Sequence, residues 1–115
     1  MDHSMLMNTT NKLVRHTIAG LLIATLCIAV NAAAANGKTL YAENACGSCH
    51  GPTGNEPIVS TYPKIAGQNK EYLIRQMNDI KSGARDNGAS IAMRGLVANL
   101  DADDIIAIAE YLSSM

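Results

Sequence analysis

Cys46, Cys49 and His50 stand within five residues of one another in a chain that has three Cys and three His in all. In the run Cys46-Gly47-Ser48-Cys49-His50, two thiols are separated by two residues and an imidazole follows directly. This is the spacing of c-type haem attachment. Two thiols held on one tight turn reach the two vinyl groups of a single porphyrin. Small residues at Gly47 and Ser48 leave the turn and the macrocycle unobstructed. The next side chain then comes under the iron, for which imidazole is a good ligand. With so little Cys and His in the composition, the pentapeptide arises by chance about once in a thousand sequences. The competing chemistries are poorly supplied. Zinc wants four N/S ligands, and only these three lie outside the N-terminal segment that carries His3 and His16. A redox dithiol wants a βαβ setting that is missing, and a disulfide across two residues would close a small, strained loop.

The rest of the chain must position those groups with few means. It has 115 residues, a formal net charge of -1, no Trp and no Phe, and four tyrosines. One small domain is the expectation, and its large side chains are too few to make a core unaided. A covalently held haem would add a large, flat, apolar body to pack around. With no basic run and no cluster of stacking aromatics, nucleic-acid binding is excluded.

The N-terminus reads as a secretory signal peptide over 1–35. Lys12 and Arg15 precede an apolar run of 14 residues, Thr17 to Val30, and alanines follow from Ala32 to Ala35. Cleavage after Ala32 puts Val30 and Ala32 at the small-residue positions, and cleavage after Ala35 puts Ala33 and Ala35 there; both sites stay open. The alternative is a retained membrane anchor, for which the run is short. Cys27 lies within the apolar run after Leu26, where a lipoprotein site wants a small residue, so it is read as filler lost with the leader. In bacteria c-type haem is attached outside the cytoplasmic membrane, so the leader and the motif agree. The expected domain is 36–115, with seven basic and nine acidic residues. That mildly acidic balance suits a neutral or basic docking patch on a partner.

Within it, a first short helix is expected over Gly37 to Asn44, with Leu40, Tyr41 and Ala45 sharing a face. Gly51 to Pro57 is loop by composition, and Ile58 to Tyr62 is also read as loop. A helix over Lys70 to Ser82 has Gln68 or Asn69 as cap and Gly83 as stop. Tyr72, Leu73, Gln76, Met77 and Ile80 form its apolar face, and Glu71 and Arg75 are spaced to pair. A short helical turn is expected within Ile91 to Asn99. Asp101 caps a last helix that ends near Ser113, with Ile105, Ile108, Ala109 and Leu112 on one face. No stretch alternates like a strand, and the fold class is all-α.

The chain resembles the class I c-type cytochromes, nearest the small bacterial cytochromes of the c553 and c4 type. The matching residues are Cys46-Gly-Ser-Cys-His-Gly51, Tyr62-Pro-Lys-Ile-Ala-Gly-Gln68, Tyr72-Leu73 with Gln76, Lys81-Ser-Gly83 with Arg85, Met93, and Leu100 to Leu112. The resemblance covers essentially all of 36–115. It implies a small cytochrome c fold, three to five short helices around one haem c held by two thioethers. It implies that the carbonyl of Pro63 accepts a hydrogen bond from the ligating histidine, where the bare residue would otherwise read as a loop stiffener. It implies that Gly37 and Tyr41 pack against the last helix near Tyr111 and Leu112. It also implies a methionine opposite His50, since a soft thioether stabilises ferrous iron. Met77, Met93 and Met115 are the candidates outside the leader. Met77 reads as core filling, Met115 is the terminal residue, and Met93 stands where the family places its ligand. The chain departs from the family beside it, with Ala92 and Arg94 where relatives often carry a second Met or a Pro. Arg75, Arg85 and Lys64 are candidates to neutralise a haem propionate.

The expected function is one-electron transfer by a monomeric periplasmic carrier, not an enzyme, between respiratory donors such as a membrane cytochrome complex and a terminal oxidase or reductase. The alternatives are a haem subunit of a larger dehydrogenase and a ligand-binding or sensing haem with an open sixth site. A retained leader would anchor the protein to the membrane.

Overall fold

The computed structural model describes residues 36–115. The leader, its two cleavage sites and Cys27 lie outside the described residues. The described residues hold five helices and no strand. Helix α1 covers 36–43, α2 is the single turn Gly47–His50, α3 is Lys70–Ser82, α4 is Ser90–Val97 and α5 is Ala102–Ser113. Among the described residues no helix is long and apolar enough to cross a membrane.

Local chemistry sets the ends of the two long helices. The Asn69 side chain accepts from the Tyr72 N–H at 2.9 Å, so Asn69 is the cap of α3 and Gln68 is not. At the other end Gly83 takes the left-handed conformation, φ 86°, and its N–H donates to the Ile80 carbonyl. Asp101 and Asp104 form a reciprocal capping box on α5, at 2.9 and 3.1 Å. Such caps satisfy otherwise orphaned N–H groups and contribute about 1 kcal/mol each. Helix α4 is longer than the single turn expected, eight residues, and has no side-chain cap. Its length comes from packing: Val97 is buried and Met93 rests partly buried on the core.

The core lies where α1, α3 and α5 converge, around Tyr41, Ile80, Ile105, Ile108 and Leu112. Contact between α1 and α5 is so close that a Cβ on Gly37 would lie 2.0 Å from the Ala107 carbonyl oxygen. One turn on, the rings of Tyr41 and Tyr111 meet at 5.8 Å, tilted by 59°. The Glu71–Arg75 pair does not form. Lys70 instead pairs with Glu110, tying the start of α3 to the end of α5. The irregular stretch between α2 and α3 is held by its backbone. Ile58 N–H donates to Cys49 O (3.1 Å), Ile65 N–H to Gly54 O (2.8 Å) and Gly67 N–H to Leu112 O (2.7 Å).

Candidate haem site

The expected tight turn is a turn of helix. The Cys46 N–H donates to the Tyr41 carbonyl and the His50 N–H to the Cys46 carbonyl, both at 3.1 Å. Ala45 enters the turn at φ 55°, a left-handed conformation for a non-glycine residue, and the Ser48 hydroxyl donates to its carbonyl at 2.6 Å. Helical geometry then does what the spacing requires. Cys46, Cys49 and His50 stand at i, i+3 and i+4, which share a face. All three line one cavity of about 390 Å³. The two thiols are free, not disulfide-bonded. Among the described residues no three His, Cys, Asp or Glu side chains gather as a metal-binding group, which leaves the zinc reading without a site. Gly47 is not demanded by the polypeptide, since a Cβ there would lie at an ordinary 3.5 Å from the Tyr41 ring.

His50 is 5% exposed, and its Nδ1 lies 2.9 Å from the Pro63 carbonyl oxygen. A carbonyl only accepts, so Nδ1 carries the proton, and in the neutral imidazole Nε2 keeps its lone pair. Nε2 has no hydrogen-bond partner, yet no buried side-chain polar atom is orphaned among the described residues. The unprotonated nitrogen is therefore accessible to the cavity. Pro63 is exposed and lines the cavity, and its carbonyl holds the imidazole.

The other walls come from every remaining helix. Tyr72, Gln76 and Met77 line the cavity from α3, Met93 and Leu96 from α4, and Ile108 and Leu112 from α5. Met115, 53% exposed, does not line it. Burial pushes the Cys46 thiol pKa up. It also pushes the Tyr41 phenol up to about 12, with smaller contributions from Cys46 and Tyr111. The Tyr41 hydroxyl donates to the Gly51 carbonyl at 2.7 Å, which ties α1 to the residue after His50.

The charged residues on the cavity wall are Lys64 and Arg85, with no carboxylate among the lining residues. Arg85 donates from Nη1 to Gln76 Oε1 at 2.5 Å and faces Asn87 Oδ1 at 3.4 Å. Arg75 is exposed and lies off the cavity. Three lining features escaped the sequence reading: Tyr72 and Gln76 turn to the cavity and not to the core, and Met77 faces both. The signal was a polar Gln on an otherwise apolar helix face.

These residues fit a haem. The wall is largely apolar, two thiols and one imidazole stand together, and two cations line it with no carboxylate among the lining residues. The fit agrees with what the chain resembles. Residues 34–115 match the family model described as Cytochrome c. Over 69 residues, 60% of this chain and 32% of its relative, the chain is 46% identical to cytochrome c4 of Pseudomonas aeruginosa. It is 30% identical over 100 residues to the thiosulfate dehydrogenase electron acceptor of Stutzerimonas stutzeri, covering 81% of this chain and 45% of that one. The crystal structure of reduced recombinant cytochrome c4 from Pseudomonas stutzeri superposes with a TM-score of 0.64 at 32% identity, over 72% of this chain and 48% of that chain. The chain thus spans between a third and a half of the length of these proteins. Family match, helical fold and attachment turn agree that the chain belongs to the cytochrome c family, as a small c-type cytochrome of the c4 and c553 kind.

Proposed function

We propose that residues 36–115 form a one-electron carrier with a single haem c, held by thioethers from Cys46 and Cys49 and ligated by His50 and Met93. The observation that carries this reading is that His50, its Nε2 free of any hydrogen bond, and Met93, from a different helix, line one cavity. Each thiol adds its sulfur and its hydrogen across one vinyl group. The bound cofactor supplies the ferric–ferrous couple. The chain does the rest. Pro63 O holds the imidazole in one tautomer and one orientation. The apolar wall would keep water from the bound iron. Lys64 and Arg85, on the cavity wall, would neutralise the carboxylates of the porphyrin rim. Met93 is preferred over Met77 because Met77 is 8% exposed within the α1–α3–α5 core, while Met93 sits on the separate wall made by α4. Held by both His50 and Met93, the iron would offer no position to a substrate, which supports a carrier and not an enzyme.

The domain would work in the periplasm as a monomer, delivered there by the 1–35 leader and freed from the membrane on its cleavage. It would pass electrons between a membrane cytochrome complex and a terminal oxidase or reductase. A relative whose name is that of an electron acceptor for a dehydrogenase supports the carrier role. A second reading is a haem domain within a larger dehydrogenase; co-purification of a partner protein would favour it.

The test is the absorption spectrum of the ferric holoprotein matured in a bacterial periplasm. A low-spin spectrum with the weak far-red sulfur-to-iron band is expected. A high-spin spectrum without that band would replace this reading by a ligand-binding haem with an open site.

A further inference from the structure

Helix α4 is poorly secured on its own. It has eight residues and no side-chain cap, and Ile91 and Leu96 are 59% and 39% exposed. Helices this short are marginal without outside support. Yet α4 carries Met93, and a ligand must be held to a fraction of an ångström.

One side chain reaches from α4 to another helix with a hydrogen bond. Arg94 Nε donates to the Ile80 carbonyl at 3.3 Å. Ile80 O is among the last four carbonyls of α3, which have no partner within the helix. It is also the acceptor of the Gly83 N–H. The guanidinium lies over Gly83, with its Nη2 3.2 Å from the position a Cβ would take there. A cation at a helix C-terminus is favoured by the helix dipole as well. Glycine at the end of α3 thus leaves room for the arginine that anchors α4.

Adjacent residues on a helix point about 100° apart. With Arg94 directed at the end of α3, the rotation of α4 is set, and Met93 is directed into the cavity. We propose that Arg94 is the positioning residue for Met93, acting through its hold on the C-terminal end of α3. The inference rests on Met93 being the axial ligand.

The experiment titrates the ferric holoprotein with imidazole, which competes for the methionine's place. The far-red band and the reduction potential are read alongside in wild type, M93A, R94A, R94K and K70A. Lys70 pairs with Glu110 away from the cavity, so K70A reports the loss of an inter-helix tie that does not involve α4. R94A is expected to bind imidazole about five- to tenfold more tightly, the factor one lost hydrogen bond corresponds to. Its far-red band weakens and its potential falls. R94K keeps the charge but not the planar fork and should fall between R94A and wild type; it carries the test if R94A does not fold. K70A should match wild type. Wild-type imidazole affinity and potential in R94A, beside an M93A that has lost the far-red band, would overturn the inference and leave the ligand assignment standing. Equal changes in R94A and K70A would overturn it too. An M93A that keeps the band would overturn the assignment itself and the inference with it.

Discussion

The two sides of this domain are built by opposite means. Where α1 crosses α5, the polypeptide closes on itself: Gly37 meets the Ala107 carbonyl, Tyr41 meets Tyr111, and Ala109 is wholly buried. Where α2, the 58–68 loop and α4 meet, the chain leaves a cavity of about 390 Å³ walled by apolar side chains. Closed off and dry, a void of that volume would cost about 9 kcal/mol at about 24 cal/mol per Å³. That is as much as the whole stability of an 80-residue domain, about 4 to 12 kcal/mol. One side is finished by its own side chains, and the other is finished by its cofactor. A chain with no Trp and no Phe has used two of its four tyrosines, Tyr41 and Tyr111, on the first.

The sharpest way to break that contrast is to withhold the cofactor. A C46A/C49A protein matured without covalent haem should lose its cooperative thermal transition by circular dichroism. A retained sharp transition would show that the polypeptide closes both sides alone. Next in size is Gly37→Ala, which drives a methyl group into the Ala107 carbonyl and should cost about 3 kcal/mol in the melting of the holoprotein. Its visible spectrum should be unchanged, since Gly37 does not line the cavity. Ile108 belongs to both sides. Ile108→Ala should therefore lower stability by about 2 to 5 kcal/mol and also shift the spectrum or potential, a double effect that Gly37→Ala lacks.

Alkaline pH probes the junction of the two sides at Tyr41. The folded protein holds the Tyr41 proton to about 12, against 10.0 for the free group. The unfolded chain gives up that proton first, so stability is whole below pH 10 and is lost as pH rises from 10 through about 12. Denaturant melts across that range should show a loss of about 2 kcal/mol that Tyr41→Phe removes. Smallest is Lys70→Ala, which breaks an exposed ion pair and should leave the melting temperature almost unmoved.

The legible parts of this chain are those governed by near neighbours. Asn69, Gly83, Asp101 and Asp104 mark helix ends because a cap acts within three residues. The four residues from Asp101 already spell the box that starts α5. The attachment turn was legible for the same reason, since Cys46, Cys49 and His50 reach one face within a single helical turn. Less legible were the features that need two distant segments. Glu71 and Arg75 have the spacing of a pair, but Lys70 finds Glu110, forty residues away, once α3 and α5 pack. Tyr72 and Gln76 carry the periodicity of a core face, but the missing volume beside α3 turns them to the cavity.

By itself, then, the sequence determined the all-α class, the ends of the long helices, the family and the shared face of Cys46, Cys49 and His50, because each depends on composition or on contacts a few residues long. The tertiary structure alone decided which nitrogen of His50 stays unprotonated, through a carbonyl thirteen residues away. It alone put Met77 and Met93 on different walls of one cavity, and joined Arg94 to the end of α3. Those relations depend on which surfaces meet when the helices pack, and no local pattern encodes them.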